Sequence, residues 1–220
     1  MSIEIPSVLL DEVSRGRASL FLGAGASREA NFPSADELGS YLASKAGPEH
    51  EKRLLGQALD FIVQDLYFQK GYGEGWVKRE VIEYLEQKHR GVNRPPSKAH
   101  DLITKIKWRT IFTTNYDRLI EIAYDSSKDC VQRCLPIYET DPQILRHESH
   151  VVRLIKLNGS VDEAARNSSH QLVFTFVEQQ NARSRNKDFY ELLREESVNG
   201  PIIFIGFRFA HPDCSDVLFG

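Results

Sequence analysis

The amino-acid sequence predicts an α/β fold: a Rossmann-like, doubly wound and mainly parallel sheet. Three observations lead to this fold class. Several short apolar runs, including 20–22 and 202–205, do not alternate with polar residues, which is typical of strands buried on both faces. Segments with apolar residues at helical spacing separate these runs along the chain. Glycine or polar turns follow the runs, and ligands of such sheets bind beyond the carboxyl ends of the strands.

The composition is that of an ordinary globular protein. Of the 220 residues, 41% are hydrophobic and 27% are charged, so we expect one domain with one sizeable core. The net charge of −3 gives no basic field for nucleic acid. No apolar stretch approaches the roughly 20 residues that span a bilayer, and the acidic N-terminal segment does not resemble a signal peptide. We therefore expect a cytoplasmic protein without membrane attachment. The 3 cysteines are too few and badly spaced for a zinc ribbon, and their odd number argues against a disulfide framework.

A glycine turn follows the first predicted strand. Apolar spacing predicts a short amphipathic helix within 4–17, and a strand is expected at 18–22. The sequence continues as Gly23-Ala24-Gly25-Ala26-Ser27. Glycines let a ligand approach the backbone closely, and free N–H groups at a helix start attract anionic oxygens. The turn therefore predicts a pyrophosphate site, with an ordinary strand-to-helix turn as the alternative.

The region after this turn is predicted to be helical. Ser34 and Glu37 have the spacing of a capping box, which indicates a helix through about residue 46. Apolar spacing favours further helices over 49–88, interrupted by the glycine-rich segment 71–75.

Strands and helices alternate again in the second half of the chain. Ser97 is placed to cap a helix over 99–105, which closes a predicted helical insertion at about 48–106 within a single domain. The elements predicted after it are, in order, a strand at 108–113, a helix at 117–125, an edge strand at 131–138, a strand at 151–157, a weaker strand at 171–177, a helix at 187–196 and a last strand at 201–206.

Four of the predicted strands end in polar or glycine-containing turns. These turns lie at 23–27, 113–117, 158–160 and 206–208. Because the carboxyl ends of parallel strands meet at the same edge of a sheet, we expect the four turns to converge on one ligand.

Together the motifs resemble those of the SIR2-like (sirtuin-like) NAD-binding family, in particular the bacterial branch found in NAD-depleting antiphage defence proteins. The resemblance rests on Leu22-Gly23-Ala24-Gly25-Ala26-Ser27, Thr113-Thr114-Asn115-Tyr116-Asp117-Arg118-Leu119-Ile120-Glu121 and Lys156-Leu157-Asn158-Gly159-Ser160. It implies that NAD binds across the sheet edge and is hydrolysed to ADP-ribose and nicotinamide. True sirtuins instead transfer ADP-ribose to an acetyl group from lysine. That activity is less favoured here, because the sequence has no four-cysteine zinc module.

The resemblance also implies roles for individual residues. The residues that would bind NAD are Gly23, Ala24, Gly25, Ser27, Gly159, Gly206 and Arg208. Asn115 would orient the nicotinamide ribose or position a water, and Asp117 would bind the carboxamide or hold the loop. A helix cap is the alternative for Asn115 and Asp117, and a surface ion pair is the alternative for Arg208.

Asn158 is the main departure from the family pattern. The family normally has a histidine there, which acts as the base that activates a ribose hydroxyl or a water. An amide takes up no proton at neutral pH, whereas imidazole titrates near it. A natural pseudoenzyme, or a substitution that traps the intact complex, would explain the asparagine. His211 and His100 are the histidines considered as replacements, with a packed or capping role favoured for His100. Asp36 is a further candidate for the nicotinamide pocket.

The resemblance also bears on partners. Residues 214–218 look like the start of a helix, so we expect the chain to be the N-terminal part of a longer protein. The family implies oligomerisation, and fusion to or partnership with a sensing module such as an Argonaute-type segment, an ATPase or a repeat array. The non-enzymatic alternative is an NAD or ADP-ribose sensor or a structural subunit, which Asn158 favours.

Overall fold

The computed structural model describes residues 4–93, 95–139, 148–167 and 169–208. The strands in these ranges are β1 (Ser19–Leu22), β2 (Thr110–Thr113), β3 (Arg133–Ile137), β4 (Val151–Lys156) and β5 (Ile202–Ile205). They form one sheet in the order β3-β4-β2-β1-β5, and every neighbouring pair is parallel. The predicted α/β fold class with a parallel sheet is therefore confirmed.

Helices surround this sheet. They are α1 (Ser7–Ser14), α2 (Ala35–Lys45), α3 (Pro48–Leu54), α4 (Leu59–Phe68), α5 (Glu74–Arg90), α6 (Lys98–Thr104), α7 (Leu119–Ser126), α8 (Val161–Arg166), α9 (Phe176–Arg185) and α10 (Lys187–Asn199), with a 3-10 helix at Ala24–Ala30. No helix in the described ranges is long and apolar enough to cross a membrane.

Side chains on the central strands alternate between two buried faces. Phe21, Phe112 and Ile155 point to one face and pack against α10. Leu20 and Ile111 point to the other face, where α6 and α7 cover the sheet. Because helices cover both faces, the strands have continuous apolar sequences without polar alternation, as the sequence analysis assumed.

The helices from α2 to α5 form a helical region, and a third apolar cluster holds this region together. It contains Leu42 of α2, Ile62 and Leu66 of α4, and Val81 of α5. The cluster extends to Leu119 at the start of α7, so the helical region packs against the carboxyl edge of the sheet. The insertion at about 48–106 stays a prediction as a domain assignment. Its last helix, α6, packs on the sheet face rather than in this cluster.

Local signals fixed several boundaries correctly. The capping box of Ser34 and Glu37 is present at the start of α2, and the Ser97 hydroxyl accepts the His100 N–H at 3.2 Å at the start of α6. The helical stretch at 49–88 has one more break than predicted, because α3 ends at Leu54 and Gly56 adopts φ +75°.

The weak strand expected at 171–177 is wrong. Residues 171–174 form no regular element, and α9 begins at Phe176 behind a second capping box, made by Thr175 and Glu178. The Glu178 carboxylate also accepts the Phe174 N–H at 2.8 Å, so side chains satisfy backbone groups that a strand partner would have satisfied. The short helix α8 was not predicted.

Candidate functional site at the carboxyl edge of the sheet

The four motif-bearing strands are neighbours in the sheet. The order β4-β2-β1-β5 sets their ends side by side, and all four run in the same direction. The turns after Leu22, Thr113, Lys156 and Ile205 therefore lie along one edge. The four turns thus share one edge, as expected of a parallel sheet, and their convergence on one ligand stays a prediction.

The glycines of the first and last turns pack backbone against backbone. The Gly25 N–H donates to the Gly206 carbonyl at 2.9 Å, and the Gly23 N–H donates to the Ile205 carbonyl at 3.0 Å. Gly206 has φ +65°, and a Cβ there would lie 2.1 Å from the Ala26 nitrogen. No larger residue fits this junction without moving the backbone. The role of these glycines in binding pyrophosphate stays a prediction, since two of their N–H groups already donate within the chain.

The three family motifs lie at 22–27, 113–121 and 156–160, and they are called the first, second and third motif below. Hydrogen bonds join the first motif to the second. The Asn115 Nδ2 group donates to the Gly23 carbonyl at 3.1 Å and to the Ser27 Oγ at 3.0 Å. The Ser27 hydroxyl donates in turn to Asp117 Oδ2 at 2.7 Å. These bonds fix the orientation of the Asn115 amide. Its Oδ1 atom is buried and has no hydrogen-bond partner in the described part of the chain.

Asp117 has a structural role in addition to any contact with a ligand. Its Oδ1 accepts the Leu119 N–H at 3.0 Å, in the first turn of α7. Asp117 therefore satisfies a backbone donor at the start of α7 from the position before its N-cap residue, Arg118. The Asn115 backbone N–H instead donates to Thr113 Oγ1 at 3.0 Å. Binding of the carboxamide by Asp117 stays a prediction.

Lys156 joins the third motif to the second. Its side chain is fully buried, and its Nζ donates to the Asp117 carbonyl and, at 3.0 Å, to Glu121 Oε1. A buried lysine requires such partners, because an unpaired charge away from water is costly. The sequence analysis quoted Lys156 and Glu121 within the motifs but assigned them no role. A lysine at the end of an otherwise apolar strand was the available signal.

The third motif turns tightly around Gly159. This glycine has φ +85°, and a Cβ there would lie 2.4 Å from the Gln171 carbonyl oxygen. Asn158 before it is half-buried, and its carbonyl accepts the Val173 N–H at 3.1 Å. Ser160 is fully buried, and its hydroxyl has no partner among the described residues.

His170 is a residue that the sequence analysis missed. Its Nε2 accepts the Ser160 N–H at 3.1 Å, and its ring is buried, which lowers its pKa below the usual histidine value. A cavity of about 310 Å³ lies beside it, lined in part by Tyr138, Leu157 and Gly159. Nothing in the spacing marked His170, which reaches the motif only because the chain folds back after α8.

The edge contains several buried polar atoms that lack a hydrogen-bond partner within the described ranges. They are Asn115 Oδ1, Ser160 Oγ, Arg118 Nε and His89 Nδ1. His89 belongs to this set because its Nε2 accepts the Arg118 N–H at 3.0 Å. Native proteins leave few buried polar atoms unpaired, and a ligand or water is the usual explanation where they cluster.

Among the described contacts, His100, Asp36 and Arg208 make no hydrogen bond to the residues that hold these unpartnered atoms. His100 is buried, with Nδ1 2.7 Å from the Ser97 Oγ, which agrees with the packed role favoured for it. Asp36 is exposed in the first turn of α2, and Arg208 is exposed after β5. His211 lies outside the described residues. Within the described residues, no cluster of His, Cys, Asp or Glu side chains is arranged to hold a metal ion.

An all-parallel α/β sheet with glycine and amide motifs at its carboxyl edge defines the nucleotide-binding class of Rossmann-like domains. The family model for the SIR2-like domain matches residues 109–219, just over half of the chain. The chain therefore belongs to the SIR2-like family, as its motifs indicated.

Two curated relatives are similar along nearly the whole chain. The NAD(+) hydrolase ThsA of Enterococcus faecium is 22% identical over 213 residues, which cover 94% of this chain and 40% of the relative. The NAD(+) hydrolase ThsA of Acinetobacter baumannii is 23% identical over 211 residues, which cover 96% of this chain and 40% of the relative. The chain thus spans about 40% of the length of these relatives.

Proposed function

We propose that this domain binds NAD at the carboxyl edge of its sheet and hydrolyses the bond between nicotinamide and ribose. One observation carries the proposal: four neighbouring strands present the family motifs at one edge, where buried polar atoms lack partners among the described residues. Membership of the SIR2-like family and the similarity to NAD(+) hydrolases support the same substrate.

The glycine turn is the proposed pyrophosphate site. Gly23, Gly25 and Gly206 bring the turns after β1 and β5 into backbone contact, so one pyrophosphate can touch both. Because the Gly23 and Gly25 N–H groups donate to Ile205 and Gly206, we propose that Ala24 at the start of the 3-10 helix supplies a backbone donor. The exposed guanidinium of Arg208 would pair with the phosphate charge.

Hydrolysis would take place at the neighbouring turns after β2 and β4. The reaction breaks the bond between the ribose C1′ and the nicotinamide nitrogen, which leaves with the bonding electrons. A water oxygen forms the new bond to C1′ and loses a proton. Asn115, which is held by Gly23 and Ser27, would orient the ribose or the water. Asn158 can make hydrogen bonds but takes up no proton, so we expect slow turnover.

Isothermal titration with NAD and ADP-ribose, run beside an assay of nicotinamide release, tests this proposal. We expect both ligands to bind, and we expect Asn158→His to raise the release rate about 10²–10⁴-fold, the range that a general base contributes. Asn199→His, at the exposed end of α10, is the matched control and should change nothing. Failure of both ligands to bind at millimolar concentration would overturn the NAD site. Absence of release by Asn158→His would overturn the hydrolase.

The second candidate is a sensor that binds NAD or ADP-ribose without turnover. Asn158 favours it, because the amide at the position of the family histidine removes the base and leaves the remaining contacts intact. The sensor predicts unchanged binding and no nicotinamide release from either form of the protein. Protein deacylation has less support, since the sequence lacks the four-cysteine zinc module.

We further propose that the domain acts in the cytoplasm within an NAD-depleting antiphage defence protein. It would work as a homo-oligomer or with a sensing partner such as an Argonaute-type, ATPase or repeat module. The family resemblance supports this setting. The activity and partners of a whole protein are proposals here, because the chain spans about 40% of the length of the relatives it matches.

A further inference from the structure

His89 connects the helical region to the second motif. It lies in the last turn of α5, and its Nε2 accepts the N–H of Arg118, the residue that follows Asp117. The aromatic ring of Phe32 packs on the imidazole, with 4.6 Å between ring centroids. The helical region therefore contributes a side chain directly beside the turn that contains Asn115.

The hydrogen bond to Arg118 determines which nitrogen of His89 carries the proton. A neutral imidazole has one acceptor and one donor, so Nδ1 must carry the hydrogen when Nε2 accepts. Burial lowers the pKa of His89 to about 4, so the ring is neutral near pH 7. The Nδ1 atom is buried without a partner among the described residues. His89 thus presents a buried donor that nothing described in the chain satisfies.

Asn115 presents the complementary acceptor. Its Nδ2 group is held by the Gly23 carbonyl and the Ser27 Oγ, which leaves Oδ1 without a described partner. The carboxylate of Asp117 can only accept hydrogen bonds, so it offers nothing to a carbonyl oxygen. A primary carboxamide needs one donor for its oxygen and one acceptor for its N–H group. The His89 Nδ1–H group is a donor of this kind, and Asn115 Oδ1 is an acceptor of this kind.

Building on the NAD site proposed above, we propose that His89 recognises the carboxamide of the nicotinamide ring. Its Nδ1–H donates to the carboxamide oxygen, while Asn115 Oδ1 accepts from the carboxamide nitrogen. Phe32, which already packs on His89, borders the nicotinamide ring. His89 is then a specificity-determining residue contributed by α5, far from the three sequence motifs that define the family.

Ligands that differ only at the nicotinamide end test this inference. Calorimetric titrations would compare NAD with ADP-ribose, which lacks nicotinamide, on the unsubstituted chain and on His89→Ala and His89→Gln. We expect each substitution to weaken NAD roughly three- to tenfold, the value of one hydrogen bond, and to leave ADP-ribose within about twofold. His150→Gln is the control, because His150 is exposed at the opposite edge of the sheet, before β4.

The possible outcomes separate this inference from the proposed function. An equal loss of NAD and ADP-ribose would indicate a structural role for His89 and overturn the inference, as would unchanged NAD affinity. An unsubstituted chain that binds neither ligand would overturn the NAD site and this inference together. Thermal melting identifies misfolded variants. If His89→Ala fails to fold, His89→Gln decides, because its amide oxygen can still accept the Arg118 N–H.

Discussion

Buried polar groups at the two edges of the sheet differ in how completely they are hydrogen-bonded. At the amino edge, the buried carboxylate of Glu196 on α10 is saturated, with two donors on each oxygen. These donors are Ser19 Oγ at 3.0 Å, Arg109 Nε at 2.8 Å, Thr110 Oγ1 at 3.0 Å and Arg153 Nη2 at 3.2 Å. Every partner comes from the start of a strand, from within β4 or from the residue before β2. This network fastens α10 to the sheet.

At the carboxyl edge, the polar groups are only partly satisfied. Asn115, Ser160 and His89 each keep a buried atom without a partner in the described ranges. Saturated groups stabilise the fold, whereas a buried group left without a partner costs stability. The contrast distinguishes polar groups that the chain itself saturates from polar groups that it leaves open, without reference to sequence motifs.

Glu196→Gln gives the largest expected effect on stability. The substitution keeps the shape but removes the charge that compensates Arg109 and Arg153, and breaking a buried ion pair costs about 3–5 kcal/mol. Urea unfolding measures this loss. Glu195→Gln, on the exposed neighbour, is the control and should leave the midpoint unchanged. A loss below about 1 kcal/mol for Glu196→Gln would contradict the structural role of the amino edge.

We expect mild acid to lower the stability of the fold, because several buried histidines are held neutral. Burial lowers the pKa of His89 to about 4 and also lowers the pKa values of His100 and His170. Unfolding releases these histidines to their usual pKa near 6.5, so the unfolded chain binds more protons between pH 6.5 and 4. Stability is full above pH 6.5 and falls with pH across this window, by about 1–2 kcal/mol for His89 alone at pH 5.

Urea midpoints at pH 7 and pH 5 measure this acid sensitivity. His89→Gln should reduce the difference between the two midpoints, while His150→Gln, an exposed histidine, should not. The charged groups that act on His89 are Asp117, Arg118, Lys156 and Asp162. A midpoint that does not change between pH 7 and pH 5 would show that the histidines are not held neutral.

The smallest expected effect comes from a matched pair of buried serines. Ser19 and Ser160 are both almost inaccessible to solvent, but only Ser19 has a described hydroxyl partner. Ser19→Ala should lower the free energy of unfolding by about 1 kcal/mol, because a buried hydrogen bond is lost. Ser160→Ala should leave it unchanged or raise it slightly, and should weaken NAD binding. Equal destabilisation by the two substitutions would remove the distinction between the edges.

Local sequence signals predicted the fold well wherever the residues of an element alone determine where it begins and ends. The capping residues Ser34 and Ser97 fixed two helix starts, and the apolar run at 202–205 fixed the last strand. The same signal was overlooked at Thr175 and Glu178, where the spacing of a capping box would have indicated α9 instead of a strand. The β-branched and aromatic residues at 172–177 favour a strand, but the cap at Thr175 determines the element that forms.

The candidate site was only partly accessible from the sequence. The turns containing Asn115 and Asn158 stood out, because polar residues follow buried strands. His89 and His170 did not, because each reaches the edge from an element distant along the chain. Periodicity and spacing describe neighbours in sequence, and contacts made by α5 or by the segment after α8 leave no periodic trace.

The sequence by itself determined the alternation of strands and helices, the parallel sheet and the motifs that end four of its strands. These properties depend on backbone preferences and on hydrophobic patterns within a few residues. Only the tertiary structure decided that β5 lies beside β1, that Gly206 packs on Gly25, and which polar atoms at the edge remain unpaired. Whether a buried polar group has a partner depends on which distant segments surround it, and that is fixed only once the whole chain has folded.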